Sequence, residues 1–323
     1  MNIETIYRKA VAAGIANDPR GPEAVRKLLD EEAEKAGKLT EDERVSWEAD
    51  RLFNPYADSR ILTGDPAAEA RKVIAGIDMD ASEILLAHTL NRDRAAAIDL
   101  VIAHHPQGVA LAQLADVMRV QSDMLALYGV NISVAEQLLE KRMSEVERRL
   151  LPGNHSRAVD AARLLGLPMM CLHTPADNCV NTFLERLFAG EKPARLKDLI
   201  ELLRTVPEYR AAAARMAGPK IVNGAETAHC GRISVEMTGG TEGSKTIYES
   251  YAVSGVSTIV SMHISEEALE NARKAHLNIV LAGHISSDTL GLNLLFDEIE
   301  REERIEFVGV SGFVRTRAAD RQP

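Results

Sequence analysis

Apolar positions along this chain fall into two rhythms. Short apolar runs, too brief for a helix, alternate with longer stretches in which Leu, Val, Ile, Met and Ala recur at three- and four-residue spacing. The short runs predict strands at Ile61–Pro66 (leading into a turn), Lys72–Asp78, Ile98–Ala103, Pro168–Leu172, Lys220–Asn223, Arg232–Thr238, Ser257–Met262, a run opening at Leu277, and Arg304–Val310. The longer stretches predict helices around Leu85–Leu90, Val109–Leu127, Val134–Leu151, Arg157–Leu165, Val180–Ala189, Glu266–Ala275 and from Thr289 onward, with two short ones between 191 and 217. Strand and helix in alternation predict an α/β fold.

Residues 1–56 are charge-rich and helical in pattern. Pro22 opens a helix to Lys35, and Thr40-Glu-Asp-Glu43 has the form of a capping box. This segment is expected to be a solvated helical extension laid on the core. Residues 57–190 and 275–323 are assigned to one α/β domain, with 109–151 as a helical insertion, and 191–274 to a smaller α/β domain. The last ten residues are polar and expected to be loose. His88 is expected to pack in the core and His155 to lie at the surface. Gly239-Gly-Thr-Glu-Gly-Ser-Lys245 lacks the spacing of a phosphate loop and reads as a glycine-rich turn.

Composition narrows the partners. Among 323 residues, 38 Lys and Arg face 48 Asp and Glu, a net charge of −10 that argues against nucleic acid. Three cysteines at no disulfide-like spacing suit a reducing compartment, and no apolar run has the length of a signal core or membrane span. A soluble, cytoplasmic protein is expected.

The chemistry lies where strands end. Leu100–Ala103 runs into His104 and His105, and Pro106 blocks a simple continuation into helix. Successive side chains of an extended backbone point oppositely, so this pair serves two neighbouring points rather than one. Pro168–Leu172 ends at His173, with Asp177 four residues on; the run from Leu277 ends at His284, with Asp288 four residues on. If each loop curls directly into a helix, an i, i+4 pair faces one way and can share an ion. Strand ends of an open α/β sheet can converge although distant in sequence. Imidazole and carboxylate together suit zinc, iron, manganese or nickel.

His104-His105-Pro106, His173-Thr174-x-x-Asp177 and Gly283-His284-x-x-Ser287-Asp288 resemble, in order, three signatures of the Nif-three-like proteins, often labelled GTP cyclohydrolase type-two homologues. Ser59-x-Ile-Leu-Thr-Gly-Asp-Pro66 and the strand after it are similar to that family's opening. The resemblance implies a two-domain fold with sheets flanked by helices and two divalent transition metal ions per subunit. It also implies a toroidal assembly, a hexamer of dimers. His104, His105, Asp177, His284 and Asp288 match metal ligands, and His173 matches a residue lining the centre as ligand or proton-transfer group. Two features depart from the family: Asp288 stands where Glu is usual, and 68 residues separate His105 from His173. The insertion accounts for that length and is expected to alter the assembly or cap the site.

Two metals can activate a water and polarise a carbonyl or phosphoryl oxygen. The expectation is a metal-dependent hydrolase acting on a small molecule, of cyclohydrolase or phosphoester class, with His173 or a carboxylate such as Glu226 moving the proton. The alternative is a non-catalytic metal-binding scaffold or regulatory protein, distinguished by a closed coordination site.

Overall fold

A computed structural model describes residues 1–92 and 97–321. The chain opens with α1 (Ile3–Ala16), α2 (Pro22–Lys38) and α3 (Glu41–Ser46). The first α/β half follows with β1 (Arg60–Thr63), β2 (Lys72–Gly76), α4 (Ala81–Leu90) and β3 (Leu100–Ala103). After β3 come α5 (Gly108–Ala112), α6 (Leu114–Val117), α7 (Val120–Leu127), α8 (Ile132–Leu150) and α9 (Arg157–Leu164). Then β4 (Met169–Cys171) leads into α10 (Thr174–Glu191), α11 (Leu196–Thr205) and α12 (Pro207–Ala214). The second half holds β5 (Lys220–Asn223), β6 (Arg232–Glu236), α13 (Tyr248–Val253), β7 (Val256–Ser261), α14 (Glu266–Lys274) and β8 (Asn278–Leu281). The chain closes with α15 (His284–Ile299) and β9 (Glu306–Val310).

The strands form two sheets, ordered β1-β4-β3-β2-β9 and β5-β8-β7-β6. The second repeats the first four strands of the first, including an irregular antiparallel edge strand, β1 on β4 and β5 on β8. Gly64 and Gly224 close those edges at φ 101° and 103°, a backbone that side chains disfavour. The central strands are apolar throughout because both faces are covered. Val73, Ala75, Leu100 and Ile102 face α1, α10 and α15, whereas Ile74, Val101 and Ala103 face α4 and α9.

Helices α10 and α15 form a layer common to both sheets. Ala176, Cys179, Leu292 and Phe296 pack toward the first, and Val180, Leu184, Phe188 and Leu290 toward the second. Their approach is close enough to require Gly291, where a Cβ would lie 2.6 Å from the Ala176 carbonyl oxygen. The N-termini of both helices thus open at one place, beside the ends of both sheets.

Several expectations change. Strand β8 pairs with β5 and β7 in the second sheet and β9 with β2 in the first, so the 275–323 stretch divides between the halves. A parallel partner is set by the crossover before it, and α14 returns β8 to β7. Helix α1 is core rather than solvated extension: Ile3, Ile6, Tyr7 and Ala10 are buried, while α2 buries only Val25. His88 is half-buried, not core. The polar tail is pinned through Arg315, which donates to Asp297 and Glu300 at 2.6 Å each; residues 322–323 lie outside those described. No helix among the described residues is long and apolar enough to cross a membrane.

Candidate metal centre

Beyond β3 the backbone stays tied to the neighbouring chain: the amides of His104 and His105 donate to the Gly76 and Ile77 carbonyls at 2.9 Å. The two rings therefore leave one rigid segment with centroids 5.4 Å apart, and His104 lies against His173 (4.9 Å) while His105 lies against His284 (5.2 Å). Helices α10 and α15 begin earlier than their apolar spacing predicts, at Thr174 and His284. That early start places Asp177 and Asp288 one turn beyond His173 and His284, on the same side.

Each histidine presents Nε2 to a carboxylate. His104 Nε2 lies 3.4 Å from Asp177 Oδ1 and 3.5 Å from Asp288 Oδ1. His105 and His284 Nε2 lie 3.4 and 3.5 Å from Asp288 Oδ2, and His173 Nε2 lies 3.7 Å from Asp177 Oδ2. Asp288, though shorter than Glu, turns one oxygen to His104 and the other to the His105–His284 side. These separations are long for hydrogen bonds. They match the edge of a tetrahedron of ligands about 2.1 Å from an ion, which is about 3.4 Å.

The buried polar atoms suit a metal. His104 Nε2, Asp177 Oδ1 and both oxygens of Asp288 are buried with no hydrogen-bond partner, and Asp288 is only 1 % exposed. Unpaired buried carboxylate oxygens are costly, and a cation shared among them removes the cost. Three overlapping groups of ligand atoms lie close enough to hold an ion: His104 with His105 and His173; His105 with His284 and Asp288; His104 with Asp177 and Asp288. The donor set fits a transition metal.

The opposite ring nitrogens decide which tautomer is presented. His104 Nδ1 faces the Leu172 carbonyl at 3.2 Å, His105 Nδ1 faces Asp78 at 2.6 Å and His173 Nδ1 faces Asp58 at 2.7 Å. A nitrogen facing an acceptor carries the proton, leaving Nε2 with its lone pair toward the centre. Asp58 is fully buried and also accepts from Thr174 Oγ1 (2.6 Å) and Ser59 Oγ (3.2 Å). Burial raises the Asp58 carboxyl, but His173 and these hydroxyls outweigh it and hold it below the usual range.

The field at the centre calls for positive charge. Burial opposes protonation of His104, yet Asp288 and Asp177 push it up to about 10. His173 is likewise raised against burial by Asp177 and Asp58. His284 is lowered, by burial and by its histidine neighbours against the pull of Asp288. Asp288 is held far below the ordinary range: burial is overcome by His104, His105 and His284.

All six residues singled out from sequence therefore meet at one place. Glu226 does not join them; it is exposed on the turn between β5 and β6. Asp58 and Asp78 were missed: each is a lone acid in a loop, with its histidine partner far along the chain. His173, Asp177, His284 and Asp288 line a cavity of about 870 Å³, counting its open mouth. Its far wall includes Gln121 and Met124 of α7, so the insertion caps the site.

No family model and no curated protein matches the chain. Among solved structures it is similar to a NIF3 superfamily protein from Sphaerobacter thermophilus, at 29% identity and a TM-score of 0.69. That match covers 80% of this chain and 92% of the other. Two further matches, each at 14% identity, are to HcgD from Methanocaldococcus jannaschii (TM-score 0.47, 87% of this chain and 97% of the other) and to protein ybgI (TM-score 0.49, 91% and 99%). With the fold of the Sphaerobacter protein and three ordered signatures meeting in a single cluster, the chain is Nif-three-like in fold and in its site residues.

Proposed function

We propose that this protein is a metal-dependent hydrolase with a dinuclear centre, acting on a small molecule. The observation that carries the reading is the set of unpartnered oxygens on Asp177 and Asp288, ringed by imidazole Nε2 atoms and open to a cavity. His104, His105, Asp177, His284 and Asp288 would hold two divalent ions. Ions bound there would supply Lewis acidity, lowering the pKa of a water and polarising a carbonyl or phosphoryl oxygen.

The chain's own groups do the rest. His173, its Nδ1 proton held by Asp58, keeps Nε2 free to take a proton, and the Asp58 charge stabilises the imidazolium that results. Met124, Leu125, Met237 and Ile247 line the cavity and limit water around the reacting group. An open cavity favours this reading over a closed scaffold site. Three buried free cysteines support a reducing, cytoplasmic setting, and a hexameric assembly is the expectation carried from the family.

Elemental mass spectrometry of the wild type, His104→Ala and Asp288→Ala tests the centre: about two equivalents per subunit, lost in the variants, is expected. A panel of cyclic amides, phosphoesters and purine nucleotides then tests turnover. Bound metal with no turnover and no exchangeable water would favour the scaffold reading. No metal uptake at all would overturn the centre itself.

A further inference from the structure

The cavity has a second wall that water activation leaves without a role. It is built from the end of β6, the glycine-rich turn after it, α13 and α7, and it carries Glu236, Glu242, Tyr248 and Tyr251. By the repeated strand order, Gly76 of the first sheet, paired with Ala103, corresponds to Glu236, paired with Ser261. The first half thus ends β3 and β4 at metal-facing histidines, and the second half ends β8 at His284 and adds this acidic wall beyond β6.

Among the described residues, no Lys or Arg lines the cavity. The nearby cations are engaged elsewhere: Arg142 donates to the Glu242 carbonyl (3.0 Å) and pairs with Glu145 (2.9 Å), and Lys245 pairs with Glu267 (2.7 Å). Glu242 is fixed, one carboxylate oxygen accepting from the Ser265 amide at 2.7 Å. Burial raises the Glu236 carboxyl, Tyr251 partly offsets this, and the charge of Glu242 adds to the rise. A cation entering here would relieve both burdens.

The turn is not a phosphate cradle. Gln121 Nε2 donates to the Gly239 and Thr241 carbonyls at 2.7 Å each, so α7 pins the loop, and the one charged side chain that loop offers the cavity is the Glu242 carboxylate. At Gly239 (φ 103°) a Cβ would lie 2.6 Å from Gln121 Cγ, so only glycine permits this docking. The same cavity is lined at its other end by Asp288, buried with neither oxygen hydrogen-bonded, so a molecule bound there meets both walls.

We propose that the Glu236–Glu242 wall binds a cationic, donor-rich head group, a primary ammonium or guanidinium, of a substrate whose scissile group sits at the metal centre. Polyphosphates and other anionic heads are excluded. The scissile end rests on the hydrolase reading; the head-group site does not.

The test uses metal-loaded protein and three short homologous series of alkyl hydroxamates, terminated by ammonium, methyl or carboxylate. The hydroxamate reports the metal centre and the terminus reports the wall. Ammonium is expected to bind about tenfold tighter than methyl, as a charge-assisted hydrogen bond allows, and carboxylate weakest. Glu236→Gln and Glu242→Gln should each reduce the ammonium preference while leaving metal content and methyl binding unchanged. Equal binding of ammonium and methyl termini, tighter carboxylate, or a preference untouched by both variants would overturn the assignment while leaving the metal reading intact. If the protein takes up no metal, the metal reading fails, and hexylamine against hexanol and hexanoate tests the wall alone by the same ranking.

Discussion

Asp78 and Asp58 do the same local task in different surroundings, and the contrast predicts separable effects. Asp78 accepts from His105 Nδ1 at 2.6 Å, yet its side chain is 67% exposed. Its loss in Asp78→Ala should change the stability of metal-free protein by no more than about 0.5 kcal/mol, as for surface ion pairs. The effect falls on the metal, because His105 is no longer held with Nε2 toward Asp288, 3.4 Å away. Loss of such an outer partner costs about 10–100-fold in metal affinity, or about 1.4–2.7 kcal/mol. At saturating metal, linkage carries part of that loss into the unfolding free energy. Asp58 instead is fully buried with three donors, so Asp58→Asn should also destabilise the metal-free protein, by about 3 kcal/mol. Zinc competition against a chromogenic chelator, with denaturant melts with and without metal, measures both quantities. An unchanged affinity in Asp78→Ala, or a loss equal in metal-free and metal-loaded protein, would refute the reasoning.

Other consequences can be checked in the same way. Gly14 and Gly37 are both helical, so propensity alone predicts that alanine stabilises each by about 1 kcal/mol. At Gly37 nothing lies within 4 Å of the added Cβ, but at Gly14 it would lie 2.8 Å from Pro175 Cα; Gly14→Ala should therefore destabilise by about 1–2 kcal/mol. Opposite signs are expected in urea melts, and equal stabilisation would show that α1 can move away from α10. Burial raises the Glu300 carboxyl, but Arg315, the Ile305 amide and Arg317 outweigh it and leave it lowered. A lowered folded value stabilises above the unfolded value, about 4.3, and that contribution is lost as pH falls through the folded value. Arg315→Met should destabilise at neutral pH by about 3 kcal/mol and lose less than the wild type on acidification below about pH 5. Parallel pH profiles would count against it.

The three chemical stretches were legible because each couples a short apolar run to a histidine at its end, and two add a carboxylate four residues on. Those are local patterns, and local backbone geometry turns them directly into strand ends and helix first turns. The repeated half is also written locally, in Ile61-Leu-Thr-Gly64 and Ile221-Val-Asn-Gly224, though Glu236 stands where the first half has Gly76. What the sequence could not determine is which sheet each strand joins. That choice depends on how α10 and α15, sharing one layer and touching at Gly291, bring the ends of two sheets together. The partners that orient the ring nitrogens were hidden for the same reason: Asp58 reaches His173 across 115 residues, and nothing in a lone loop aspartate signals it. Sequence by itself determined the elements and the donor chemistry, because these follow from short-range pattern. Tertiary structure decided the convergence, the tautomers and the acidic far wall, because each requires groups from separate elements to meet in space.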